Sequence, residues 1–134
     1  MIGKFALVFA FASAGCVAEA TDSRPVVVES GMGLLVVDWS ISGARDPAFC
    51  QQSDADVINV AVETSGGSFI GEFEQACEVF STAIELAPNG YFADAVLLDP
   101  DGAARTTPVD LGYFEIFGDD ELLVPIDFPS DSFY

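Results

Sequence analysis

An all-β fold, an antiparallel β-sandwich of seven to eight short strands with one disulfide, is predicted by three observations on this 134-residue chain. Beyond the first 30 residues, apolar side chains recur with period two in short runs; Gly, Pro and Asp clusters separate the runs; and no comparable run after Cys16 carries a capped 3.6-residue repeat. Alternation with one wettable face suits antiparallel sheets covered on one side, and two such sheets bury each other's apolar faces. The chain is 51% hydrophobic and holds 12 Phe, enough to build a core despite 22 acidic residues.

The chain divides into 1–15 as a lipoprotein signal peptide, 16–30 as a lipidated Cys with a flexible tether, and 31–134 as the sandwich. Lys4 precedes the apolar run Phe5–Ala12, which gives way to Ser13-Ala14-Gly15-Cys16. This is the layout of a secretory signal, and the run is far short of the roughly 20 residues that span a bilayer. Ser13–Cys16 resembles the bacterial lipobox, with Ser13 where Leu is usual; the resemblance implies acylation of the Cys16 thiol and cleavage before it. Two alternatives stay open: Ala18-Glu19-Ala20 as an ordinary cleavage site releasing a secreted protein, or the stretch as a buried helix. The last is disfavoured because a helix with Lys4 and no polar face has nowhere to pack.

Val17–Ser30 reads as tether, with Val26–Val28 able to add an edge strand. In Leu34–Ile41, residues Leu35, Val37, Trp39 and Ile41 share one face. Ser42–Pro47 is turn chemistry and Cys50 falls in a polar loop reaching Asp56. Val57–Thr64 turns Ile58, Val60 and Val62 inward, and Ser65-Gly66-Gly67-Ser68 makes a hairpin into Phe69–Ala76. Val79–Leu86 continues through Phe80, Thr82, Ile84 and Leu86, with Phe73–Thr82 the one place for a helical turn. Pro88-Asn89-Gly90 leads into Tyr91–Asp99, and Asp99-Pro100-Asp101-Gly102 is a tight turn. Arg105–Leu111 is a strand interrupted by Pro108, Tyr113–Phe117 another, and Glu121–Phe128 the last. Pro125 cannot donate to a ladder, which predicts a free edge there.

Three Cys are awkward for an exported protein. Cys16 assigned to lipid leaves Cys50 and Cys77 as a pair in a disulfide-permitting compartment. Plain secretion leaves the same pair. With no C-x-x-C spacing, the role of the pair is structural.

Trp39, Cys50 and Cys77 do not follow the Cys–Trp–Cys order of true immunoglobulin domains. Leu86–Tyr91, then Ala93, Ala95, Leu97 and Asp99–Gly102, resembles the strand, turn and hairpin of transthyretin-like and carboxypeptidase-regulatory-like sandwiches. With the lipobox, the paired Cys and the run Val124–Pro129, the chain resembles small lipoproteins of myxobacteria. The resemblance implies an Ig-like or transthyretin-like sandwich in the cell envelope, at the outer membrane, and implies no activity.

Cleavage before Cys16 removes Lys4 and leaves 22 acids against three arginines, a net −19. Nucleic acid is thereby an unfavourable partner, and so is an anionic lipid surface; contact with the membrane is expected through the N-terminal lipid, with a protein or other envelope component as partner. With no His in the chain, a Ser-His-Asp triad, a Cys-His pair and His-ligated metal are excluded, and no enzyme is expected. Acids in Asp99–Gly102 (Asp99, Asp101) and Gly118–Glu121 (Asp119, Asp120) are candidates for Ca²⁺, with the turn reading preferred at Asp99–Gly102. Phe128, Phe133 and Tyr134 are candidates for docking a partner or for pairing a terminal strand.

Overall fold

The computed structural model describes residues 31–134, which form two packed β-sheets. In chain order the elements are β1 (Gly33–Ile41), α1 (Pro47–Gln52), β2 (Val57–Thr64), β3 (Phe69–Ala76), a 3-10 turn (Cys77–Val79), β4 (Ser81–Leu86), β5 (Asn89–Leu98), β6 (Val109–Ile116), β7 (Glu121–Phe128) and a second 3-10 turn (Ser130–Ser132). One sheet has the order β4-β1-β7, the other β3-β2-β5-β6.

The alternating residues find each other as their period demands. Leu35, Val37, Trp39 and Ile41 of β1, Ile58, Val60 and Val62 of β2, and Tyr91, Ala93, Ala95 and Leu97 of β5 are buried between the sheets. Four of the six strand connections cross between sheets, those after β1, β3, β4 and β6. The buried aromatics tie two of them down. The Trp39 indole N–H donates to the Cys77 carbonyl at 3.0 Å, fixing the β3-to-β4 crossing. The Tyr91 hydroxyl donates to the Ala87 carbonyl at 2.6 Å, fixing the β4-to-β5 crossing.

The Cys50–Cys77 bond is closed, with the Cα atoms 6.1 Å apart. It staples α1, on the β1-to-β2 crossing, to the 3-10 turn on the β3-to-β4 crossing. Both half-cystines are buried.

Several sequence-level expectations are corrected. Cys50 lies in a short helix: the Asp46 carboxylate accepts from the Ala48 N–H at 3.0 Å and Pro47 occupies the first turn, a start signal in what reads locally as a turn. Arg105–Leu111 and Tyr113–Phe117 are not two strands. Residues 105–107 bridge instead to the C-terminal segment, Thr107 N–H donating to the Ser132 carbonyl and Tyr134 N–H to that of Arg105. A single strand, β6, then starts after Pro108 and carries a bulge opposite Ala93/Asp94, where Gly112 takes φ +76°. Phe128 is fully buried and belongs to the core, while Phe133 packs against it from the terminal bridge.

The last strand, β7, matches its expected bounds and is an edge strand, as Pro125 requires. Its partner is β1 and the pairing is parallel, joining the two ends of the domain in a sandwich whose other strand pairs are antiparallel. The helical turn expected near Phe73–Thr82 is Cys77–Val79. Val26–Val28 lie outside the described residues.

Candidate functional site

The Asp99–Gly102 candidate is a turn built by its own carboxylate. Asp99 Oδ1 accepts from the N–H groups of Asp101 and Ala103, both at 2.9 Å, and the Asp99 carbonyl accepts from Gly102 N–H at 2.9 Å. Asp119 sits in the β6–β7 connection, its Oδ1 accepting from Gly31 N–H at 3.2 Å. Asp120 contributes its carbonyl to Leu34 N–H at 2.9 Å. Asn89, at the start of β5, pairs with Ile116, so the Asp119 turn and the Asp99 turn lie at opposite ends of this ten-residue strand. A strand of that length spans on the order of 30 Å, so the two turns cannot pool ligands. Among the described residues no three of His, Cys, Asp and Glu converge as a metal site. Cys16 lies outside the described residues.

The outward face of the four-stranded sheet is where polar and apolar groups do come together. The register places Phe69, Glu63, Phe92 and Tyr113 in one row across β3, β2, β5 and β6, and Glu72, Ala61, Asp94 and Asp110 in the next. Phe69, Phe92 and Tyr113 are 64, 41 and 55% exposed. The Phe92 and Tyr113 rings meet edge to face with centroids 5.6 Å apart. Gly90 makes that arrangement possible: a Cβ there would stand 2.5 Å from the Tyr113 hydroxyl and 2.8 Å from its ring. Tyr113 covers the bare backbone, and its hydroxyl donates to Glu115 at 3.0 Å. That hydrogen bond, then burial and the Glu115 charge, raise the Tyr113 pKa.

Ala61 and Pro108 line a hollow in this face. The concavity, about 410 Å³, is bordered by Glu63, Phe69, Phe92, Asp94 and Asp110. Asn59 donates to Glu72 and to Glu74, each at 3.2 Å, and Asp110 accepts from Gly112 N–H at 2.8 Å. Among the described residues, neither the Glu63 nor the Asp94 carboxylate has a hydrogen-bonding or ionic partner. The described cations stand elsewhere: Arg45 pairs with Asp38 at 3.0 Å, and the Arg105 Nε donates to the Ser53 carbonyl at 2.9 Å.

No protein-family model matches the chain, and no curated protein does. Among solved structures, a leucine-rich repeat protein from Bacteroides thetaiotaomicron is similar, with a TM-score of 0.51 and 13% identity. The likeness covers 75% of this chain and 12% of that one, and at such identity it concerns the fold alone.

Proposed function

We propose that this protein is a lipid-anchored β-sandwich of the bacterial cell envelope, at the outer membrane, acting as a binding or structural module and not as a catalyst. The observation that carries the extracytoplasmic part of the reading is the closed Cys50–Cys77 bond, since such bonds persist outside the cytoplasm; the anchor rests on Cys16, the one cysteine of the sequence outside that pair. Cys16 follows the signal-like run, and two or more acyl chains there would anchor stably at about 0.8 kcal/mol per buried methylene. The self-capped Asp99 turn and the Tyr91-to-Ala87 bond support the transthyretin-like reading of that stretch. A binding role is supported by the exposed aromatic and acidic rows on the four-stranded sheet, and the chain's lack of His supports a non-catalytic one.

Growth with a clickable fatty acid tests the anchor. The wild type should be labelled and membrane-bound and Cys16→Ser unlabelled; an unlabelled, wholly soluble wild type overturns the anchor and leaves plain secretion.

A further inference from the structure

We propose that the concavity on the outward face of β3-β2-β5-β6 binds cationic side chains, arginine above all, of a basic polypeptide partner. The inference rests on the binding-module part of the function proposed above and is independent of the anchor.

Three observations converge on a cation. First, rings and carboxylates are interleaved: along β2 and β5 the aromatic row stands two residues, about 7 Å, from the Glu72–Ala61–Asp94–Asp110 row, and along β3 and β6, where the register shifts, it stands three. A guanidinium laid over Ala61 therefore reaches a ring and a carboxylate together. Second, Asp94 and Asp110 are directly opposed across β5 and β6, a like-charge cross-strand pair that costs stability on its own. Glu72 extends the row on the far side of Ala61, and no Lys or Arg of the described chain relieves it. Third, the rings are within reach of solvent, as the exposures of Phe69 and Phe92 record.

The mixture also selects among cations. Ring faces attract a positive charge through their quadrupole, and arginine stacks on them while offering a planar fork to carboxylates. The lysine ammonium is more strongly hydrated and gives up more water on entering an apolar hollow. With 22 acidic and 4 basic residues in the chain, the surrounding field draws a basic partner toward this face and repels an anionic one.

The test is a titration of the purified protein, disulfide closed, with tetra-arginine amide at physiological ionic strength, followed by calorimetry and by the NMR signals of the Phe and Tyr rings. Phe92→Ala, which leaves every charge in place, should weaken binding about threefold to fivefold. Asp94→Asn should weaken it about twofold to fivefold, and Glu121→Gln, which removes one charge from the other sheet, should leave it within about twofold. Tetra-lysine amide should bind more weakly than tetra-arginine. Unchanged affinity in Phe92→Ala, or an equal loss in Glu121→Gln and Asp94→Asn, would reduce the effect to the general field and overturn the site. Salt-insensitive binding of cellotetraose in place of the peptide would overturn it too, assigning the face to carbohydrate. Absence of peptide binding in a chain that fatty-acid labelling finds anchored at Cys16 overturns the site and leaves the anchor standing.

Discussion

Phe80 takes φ 63°, a left-handed conformation that crowds a side-chain Cβ against its own backbone and costs roughly 1–2 kcal/mol. The position holds because its neighbours over-determine it. Phe80 N–H donates to Cys77, its carbonyl accepts from Trp39 N–H at 3.1 Å, and its ring lies 6.3 Å from that of Trp39. Phe80→Ala should lower stability by about 3–4 kcal/mol in urea unfolding. Phe80→Gly should be about 1 kcal/mol less damaging than Phe80→Ala, reversing the order expected in an ordinary strand. Tyr91 gives a pH-dependent counterpart. Burial raises its pKa above the ordinary 10.0, so below that pH both folded and unfolded chains keep the phenol neutral. As pH rises past 10 the unfolded chain ionises first, and the contribution of Tyr91 to stability is lost toward its folded pKa. Tyr91→Phe should cost about 1 kcal/mol at neutral pH through the lost bond to Ala87, and should soften the alkaline loss, as paired urea curves would record.

Among the elements, strands were far more legible than their exceptions. The bounds of β2, β3 and β7 follow from alternation of apolar with polar or small residues, but the register shift at Val62/Glu63, which sets Phe69 opposite Glu63, is not visible in that pattern. Helix α1 escaped because six residues are too few to display a 3.6-residue repeat; the Asp46-Pro47 pair was the available signal. Strand β6 reads as two in the sequence because Pro108 and Gly112 look like breaks, whereas one precedes the strand and the other is absorbed by a bulge. The disulfide spans 27 residues and joins two sheet crossings, so Cys50→Ala should cost roughly 3.5 kcal/mol on the loop-entropy account. Equal urea midpoints with and without reductant would mean that the staple is idle. At the acidic turns, Asp99 spends its oxygen on two backbone N–H groups, so millimolar Ca²⁺ should raise the melting temperature no more than Mg²⁺ does.

At the scale of the whole molecule, the two-sheet packing was legible in outline and the candidate face was not. Glu63, Phe69, Phe92, Asp94 and Asp110 come from four strands, and nothing local in the sequence announces that β2 lies between β3 and β5. The parallel β1–β7 pair was hidden for the same reason, since it unites strands from opposite ends of the domain. Long-range order of that kind follows from which edges remain after the sheets stack, a property of the assembly and not of any segment. The proposed whole is an acidic sandwich, stapled once, with a lipid tether at Cys16 and its four-stranded face offered to a partner. Its most direct test is the intact mass of the protein extracted from membranes. The expected chain starts at Cys16, bears acyl chains on that residue and is lighter by the two hydrogens lost in forming Cys50–Cys77. A chain that retains Met1, carries no acyl group and has all of its thiols free would contradict the proposal.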